Sequence, residues 1–203
     1  MTEPSMTEPS ELTLAIIGAG PLGRSLALRA VQAGVRVVLE DVMPSNLRHA
    51  QEQLRLALGE ALHEAPHGPL HDSGSPARFV STVEDAVRQA DLAIDCVPDE
   101  LESKLEIFSL LDRMAPPRTV LLTPTQTLSI ADLASCTYRP ERCLAIALGA
   151  QDLAGEAAAR GAVVPLKRTA NTDPAALALV VEFWSRLGCE VTVDTDRAEA
   201  FAR

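Results

Sequence analysis

Aromatic side chains are scarce in this 203-residue sequence, in which Phe, Trp and Tyr together make up only 3% of the residues. The hydrophobic content is nevertheless 47%, which is ordinary for a globular chain. The core must therefore consist of Leu, Val, Ile and Ala, as is common where helices pack on a parallel sheet. A chain of this length is expected to form one domain with a sizeable core.

Basic residues are fewer than acidic ones. The sequence has 18 Lys and Arg and 28 Asp and Glu, which gives a formal net charge of −10. A surface of this charge repels nucleic acid and anionic membranes, so neither is an expected partner. No apolar run reaches the roughly 18 residues that a membrane span needs. The N-terminus lacks the basic start and apolar stretch of a signal peptide.

The four cysteines contain no pair with C-x-x-C spacing, which is the spacing typical of redox motifs and zinc sites. We therefore expect free thiols and a cytoplasmic location. Residues 1–11 hold the pentapeptide MTEPS twice and predict a disordered tail. Residues 12–203 are then the folded domain.

Short apolar runs alternate with segments of helical spacing along most of the chain. Residues 12–17, 35–39 and 92–97 are typical of strands, and residues 21–33 and 99–114 are typical of helices. The alternation predicts an α/β fold, a Rossmann-type, doubly wound, mostly parallel sheet in a single domain.

A glycine turn follows the first predicted strand and opens the first predicted helix. Gly18, Gly20 and Gly23 form the pattern G-x-G-x-x-G. The first glycine permits a tight turn, the second lets a pyrophosphate approach the backbone, and the third lets the helix lie close to the strand. Amides at the helix start would meet the phosphate charge. The predicted cofactor loop consists of Gly18, Ala19, Gly20, Pro21, Leu22 and Gly23.

An acidic pair closes the second predicted strand. Asp41 lies 23 residues after Gly18 and is expected to accept hydrogen bonds from the adenosine ribose. A carboxylate there repels a 2′-phosphate, so NAD is favoured over NADP. Glu40 is the neighbouring candidate, but strand alternation directs it to the opposite face. A glycine turn without a ligand is the alternative interpretation.

A metal site is not expected. His63 and His67 formally match H-E-x-x-H, but Pro66 lies inside the motif and breaks the helix that a zinc site of this type needs.

Three segments in order resemble the NAD-binding domain of 3-hydroxyacyl-CoA dehydrogenases: IIGAGPLGRSLALRAVQAGVRVVLEDV, ADLAIDCVPDELESKLEIFSLLDRMAPPRTVLLTPTQTLSI and RPERCLAIAL. The resemblance covers nearly all of residues 13–195. It implies hydride transfer between NAD and C3 of a 3-hydroxyacyl or 3-ketoacyl thioester, in fatty-acid-type metabolism. It also implies cofactor contacts from Val97, Asp99, Lys104 and Thr125.

The same comparison finds other residues where the family carries its catalytic groups. The family's Ser, His, Asn and Glu positions fall on Gln126, Ala147, Ala150 and Val164 or a close neighbour. Alanine and valine transfer no proton, so no catalytic residue is assigned. Asp152 is the one titratable candidate near this region.

The family continues into a helical domain that this sequence does not contain, and that domain helps to form the substrate cleft and the dimer. Two functions stay open. One is a non-catalytic NAD(H)-binding module, and the other is a divergent oxidoreductase acting on a small hydroxy or keto substrate. A homodimer through the uncovered sheet edge is an additional expectation.

Overall fold

A computed structural model describes residues 12–59, 76–148 and 161–196. The N-terminal tail, the histidine motif, Ala150 and Asp152 lie outside these ranges. The strands are β1 (Thr13–Ile17), β2 (Arg36–Glu40), β3 (Ala77–Val80), β4 (Leu92–Asp95), β5 (Val120–Pro124), β6 (Cys143–Ile146), β7 (Val163–Arg168) and β8 (Glu190–Thr195). The helices are α1 (Pro21–Gln32), α2 (Pro44–Leu58), α3 (Val83–Val87), α4 (Leu101–Met114), α5 (Ile130–Ala134) and α6 (Pro174–Arg186), with a 3₁₀ turn at Pro140–Arg142.

One eight-stranded sheet carries the fold, in the order β3-β2-β1-β4-β5-β6-β7-β8. All neighbouring strands are parallel except β6 and β7, which pair antiparallel. The predicted α/β fold with a mostly parallel sheet is confirmed. The strand order reverses between β1 and β4, and ligands of such sheets bind at the carboxyl ends of the strands at this reversal.

Helices cover both faces of the sheet, and each face has its own apolar cluster. On one face Leu14 and Ile16 of β1 pack with residues of α1, α2 and α6. On the other face Ala15 and Ile17 pack with residues of α3, α4 and α5. The period-two alternation of a strand buried on both faces places successive residues in opposite clusters.

Two of the few aromatic side chains meet in the core cluster that contains α6. Phe183 and Trp184 of α6 are fully buried, and their rings meet edge to face with centroids 5.1 Å apart. This arrangement is the favourable one for two aromatic rings. The pair secures α6 against the sheet.

Local signals in the sequence fix several helix ends. Gly34, beyond the end of α1, has a positive φ of 74°, and the Ser129 hydroxyl accepts a hydrogen bond from the Asp132 amide at the start of α5. Both follow the usual preferences for glycine just beyond a helix C-terminus and for serine at a helix N-cap. Within the described ranges, no helix is both long and apolar enough to cross a membrane.

Candidate functional site

A cleft of about 800 Å³ lies at the carboxyl ends of the strands, where the strand order reverses. The glycine turn forms one side, and the end of β2 forms another. The turn after β4 and the segment after β5 complete the wall. Most of the predicted cofactor residues line it: Gly18, Gly20, Pro21, Leu22, Asp41, Val97, Asp99 and Thr125.

The glycine turn has little room for side chains at two of its three positions. Gly18 has a φ of 104°, and a Cβ there would lie 3.1 Å from the Cys96 carbonyl oxygen. A Cβ on Gly23 would lie 2.0 Å from the Gly18 carbonyl oxygen. These contacts fix the close approach of α1 to β1, as the sequence pattern predicts.

Gly20 differs from the other two, because no described atom lies within 4 Å of the Cβ that it lacks. It is the N-cap residue of α1, and no hydrogen bond from a described side chain caps the helix. The amides of the first turn and the positive end of the helix dipole therefore face open space. This arrangement suits a phosphate group.

Arg24 supports the turn from behind. Its Nη1 donates to the Ala19 carbonyl oxygen at 2.8 Å, and its Nε donates to Gln53 Oε1 on α2 at 3.0 Å. The guanidinium is thus engaged with the protein.

Asp41 joins the glycine turn to the start of α2. Its Oδ2 accepts from the Ala19 amide at 2.8 Å, and its Oδ1 accepts from the Met43 amide at 2.8 Å. The Asn46 side-chain amide donates to both oxygens, at 3.2 and 3.1 Å. Sequence reasoning missed Asn46, although its position in the first turn of α2, five residues after the acid, is a usable signal. Asp41, which is predicted to accept hydrogen bonds from the adenosine ribose, therefore also holds the glycine turn against the start of α2.

Glu40 also lines the cleft, on the opposite face of β2 from Asp41. Only 3% of the residue is exposed, and its Oε1 has no hydrogen-bond partner among the described residues. Burial, and to a lesser extent the negative charge of Asp41, raises the pKa of Glu40 to about 7. The end of β2 therefore brings two carboxyl groups to the cleft, of which Asp41 is well paired and Glu40 has an oxygen without a described partner.

The stability of the protein is expected to depend on this raised pKa. The folded state binds the Glu40 proton more tightly than the unfolded state, whose value is the ordinary 4.5, so stability falls as pH rises from about 4.5 to 7. The shift corresponds to at most about 3 kcal/mol, and screening in the open cleft reduces the expected loss to about 1–2 kcal/mol. Urea denaturation of Glu40→Gln at pH 5 and pH 8 should lack this loss. An equal loss in the variant would contradict the account.

Lys104 lies behind the cleft wall and does not line it. The side chain is fully buried, and Nζ donates to Asp95 Oδ1 at 2.7 Å. Asp95, at the end of β4, is equally buried; desolvation raises its pKa, and the Lys104 charge opposes that rise. The resemblance implies that Lys104 contacts the cofactor directly, whereas the structure gives it a buried ion pair. Asp95 was not singled out from the sequence.

Asp99 connects two loops at the other end of the cleft. Its Oδ2 accepts from the Gln126 backbone amide at 3.1 Å, and both residues line the cleft. Thr125 is buried, and its hydroxyl accepts from the Leu128 amide at 3.0 Å. Asp99 thus holds the segment after β5 against the turn after β4.

The family's His position lies just after β6, opposite the part of β7 that contains the family's Glu position. The Ala147 amide donates to the Pro165 carbonyl oxygen at 3.0 Å. Val164 is fully buried in the core cluster that contains α6, so Pro165 is the residue that faces Ala147. None of these three side chains can exchange a proton. Ala150 and Asp152 fall outside the described residues.

Comparison with known proteins agrees with this geometry. A family model described as "3-hydroxyacyl-CoA dehydrogenase, NAD binding domain" matches residues 13–197. A 3-hydroxybutyryl-CoA dehydrogenase of Bradyrhizobium diazoefficiens is 29% identical over 182 residues, which are 89% of this chain and 60% of that protein. An L-carnitine dehydrogenase of Burkholderia mallei is 33% identical over 134 residues, which are 65% of this chain and 40% of that protein.

Solved structures give the same result. A 3-hydroxyacyl-CoA dehydrogenase of Archaeoglobus fulgidus superposes with a TM-score of 0.72 at 25% identity, covering 93% of this chain and 58% of that one. The chain thus spans 60% or less of the length of these relatives. Because the family model matches most of the sequence, the chain belongs to the 3-hydroxyacyl-CoA dehydrogenase family and corresponds to its NAD-binding domain.

Proposed function

We propose that this chain binds NAD(H) in the cleft and that its own residues do not supply the acid–base pair of the family. The observation that carries the proposal is the glycine turn. Gly23 must be glycine for packing, whereas Gly20 leaves open space in front of the uncapped first turn of α1. A phosphate group of the cofactor would fill this space and accept hydrogen bonds from the amides of that turn.

The residues of the cleft fit the parts of a dinucleotide. The first turn of α1, with Gly20 at its cap, would hold the pyrophosphate. Asp41 would accept from the adenosine ribose hydroxyls in place of some of its present donors and would repel a 2′-phosphate. Thr125 and Gln126 would flank the nicotinamide. The nicotinamide supplies hydride chemistry when bound, and the chain supplies binding and orientation.

The absence of an acid–base pair rests on Ala147, Val164 and Pro165. A general acid or base must titrate near the working pH and lie within hydrogen-bond reach of the substrate. We expect the purified chain to bind NADH and to show no NADH oxidation with acetoacetyl-CoA. Turnover of this substrate would contradict the non-catalytic assignment while leaving cofactor binding intact.

The second candidate is a divergent NAD-dependent oxidoreductase that acts on a 3-hydroxyacyl-CoA or another small hydroxy or keto substrate. The names of the relatives, all dehydrogenases in the comparisons above, favour it. Asp152 would then be the proton-transfer group. Turnover that is lost in Asp152→Asn would establish this candidate, and turnover that survives would exclude Asp152.

Replacing Asp41 by Ala is expected to lower NADH affinity by about tenfold or more, because a charged acceptor for the ribose and the anchor of the Ala19 amide are both lost. The preference for NADH over NADPH should decrease at the same time. Calorimetric titration measures both effects, and Asp85→Ala, an acid on short α3, is the control. Unchanged NADH affinity would show that the ribose assignment is wrong.

We also propose an oligomeric state from the exposed sheet edge and a cellular location from the cysteines. Strand β8 forms an edge of the sheet, where Val193 exposes 41% of its surface, and Val163 on the neighbouring strand β7 exposes 50%. We propose a homodimer through this edge, which light scattering after gel filtration tests. None of the four cysteines, all of which lie in the described ranges, forms a disulfide, and we propose a reducing, cytoplasmic location.

A further inference from the structure

The inference concerns the unpaired carboxyl group of Glu40, and it rests on the proposed binding of NAD(H). We infer that Glu40 recognises the adenine ring of the dinucleotide by accepting a hydrogen bond from its exocyclic amino group. Glu40 is thus a specificity-determining residue for the base, as distinct from the ribose.

The position of Glu40 places it beside an apolar part of the cleft. Val38, two residues earlier on β2, packs in the cluster of α3, α4 and α5, so Glu40 lies on that same face. Val42, Val83 and Val97 line the cleft with it. Apolar side chains around one polar group form the surroundings that a flat heterocycle with a polar edge requires.

The two acids at the end of β2 differ in how many hydrogen bonds from the protein their oxygens already accept. Asp41 already receives the Ala19 and Met43 amides and both contacts from Asn46. Glu40 Oε1 is buried and receives no hydrogen bond from any described residue. A buried acceptor without a partner costs about 1–3 kcal/mol. A ligand that brings a donor removes this cost.

The arrangement of the cleft selects the adenosine end of the ligand. The glycine turn lies next to the end of β2, since the Gly18 amide donates to the Glu40 carbonyl oxygen at 2.8 Å. With the pyrophosphate at this turn and a ribose at Asp41, the base is the part that reaches the apolar side chains around Glu40. The exocyclic amino group is the hydrogen-bond donor on the adenine edge.

The charged groups around Glu40 leave it available to the ligand. On the same strand Asp41 adds negative charge, and the paired strand β1 has no charged residue. On β3, Arg78 is paired in register with Val38; its Nη2 donates to the Asp85 carbonyl oxygen at 3.0 Å, and its Nε has no hydrogen-bond partner among the described residues. The remaining charged residues of α3 and its end are Glu84, Asp85 and Arg88, which form exposed pairs with one another.

The test compares two dinucleotides that differ only at the base: NADH and its purine analogue, in which a hydrogen replaces the exocyclic amino group. At pH 8.5, where Glu40 is ionised, the wild type should bind NADH about tenfold more tightly, because the analogue brings no amino donor to the charged acceptor. At pH 5.5 the neutral carboxyl group can donate to a ring nitrogen of either base, so the preference should shrink to less than about threefold.

Glu40→Leu should bind both dinucleotides with affinities within about twofold of each other at both pH values. Glu40→Gln keeps the shape of the side chain and should remove the pH dependence, which keeps the test valid if the leucine variant is unstable. Glu84→Leu, whose side chain is 70% exposed, is the matched control and should keep the wild-type preference.

The outcomes separate this inference from the function on which it rests. A wild type that binds NADH, with a base preference that survives in Glu40→Leu and Glu40→Gln, overturns the role of Glu40 only. An equal loss of affinity for both dinucleotides in these variants assigns Glu40 to the ribose and also overturns it. Failure of the wild type to bind NADH overturns the proposed function and the inference together.

Discussion

Replacing Lys104 by Met is expected to lower the free energy of unfolding by about 3–5 kcal/mol, the largest loss of any single substitution considered for this chain. The side chains of Lys104 and Asp95 are both 0% exposed and are 2.7 Å apart. Methionine fills most of the lysine volume, but it leaves the Asp95 carboxylate buried without its counter-ion. Thr123 and the Val97 backbone favour the charged form of Asp95, but neither carries the positive charge that would replace Lys104. Urea denaturation measures the loss.

Two further variants make the Lys104 result specific. Arg55→Met removes an exposed pair with Glu52, whose side chains are 50% and 54% exposed, and should cost less than about 1 kcal/mol. Replacing both members of the buried pair, as Asp95→Leu with Lys104→Met, should recover most of the stability, because an apolar pair needs no counter-ion. A double variant no more stable than Lys104→Met would contradict the ion-pair explanation.

The same variant decides how Lys104 relates to the cofactor. Because Lys104 lies behind the wall of the cleft, folded Lys104→Met should bind NADH within about threefold of the wild type. A direct contact with the cofactor, which the family resemblance implies, predicts a loss of about tenfold or more instead. Titration under conditions in which the variant is still folded distinguishes the two.

Gly23→Ala is expected to have the second-largest effect, lowering stability by about 3 kcal/mol and NADH affinity by at least about tenfold. The new Cβ would lie 2.0 Å from the Gly18 carbonyl oxygen. This oxygen is a backbone atom, so it cannot relieve the clash by a change of rotamer. Helix α1 must therefore move away from β1, and the turn that presents its first amides changes shape. Thermal unfolding and NADH titration follow the two losses.

Gly20→Ala is the matched control for this steric argument. Its φ of −67° is ordinary for alanine, and no described atom lies within 4 Å of the new Cβ. Stability should therefore stay within about 1 kcal/mol of the wild type. NADH affinity should nevertheless fall, because the methyl group occupies the approach of the phosphate. Unchanged affinity in Gly20→Ala would contradict the placement of the pyrophosphate.

The order of strands and helices was accessible from the sequence, because each element has a clear apolar period and many of its ends have a Gly, Pro or Ser signal. The glycine turn and Asp41 were predicted for the same reason, since both depend on local spacing. The antiparallel pairing of β6 with β7 was not predicted as such. The sequence of a short apolar run does not indicate whether the strand pairs parallel or antiparallel with its neighbour.

The details of the site depended on contacts between distant segments. Asp95 and Lys104 are nine residues apart and fully buried, yet neither was identified as half of an ion pair, because their shared burial follows from the packing of α4. Strand alternation predicted that Glu40 points away from Asp41, but it did not show that both would line one cleft. Asn46 was missed because its role depends on how α2 begins.

The described part of the cleft has several features that suit a dinucleotide. Gly18, Gly20 and Gly23 have the backbone geometry of a phosphate turn, and Asp41 is held in place by described donors. At the opposite end the family resemblance places its His on Ala147 and its Glu on Val164 or a close neighbour, and the Ala147 amide donates to the Pro165 carbonyl oxygen. The account therefore separates cofactor binding from turnover.

Calorimetric titration of the wild-type chain with NADH and with NADPH tests the central claim most directly. The account predicts saturable binding of one NADH per chain, with NADPH at least about tenfold weaker because its 2′-phosphate meets Asp41. Absence of NADH binding would contradict the account, and NADPH affinity equal to or greater than that of NADH would contradict the assignment of Asp41.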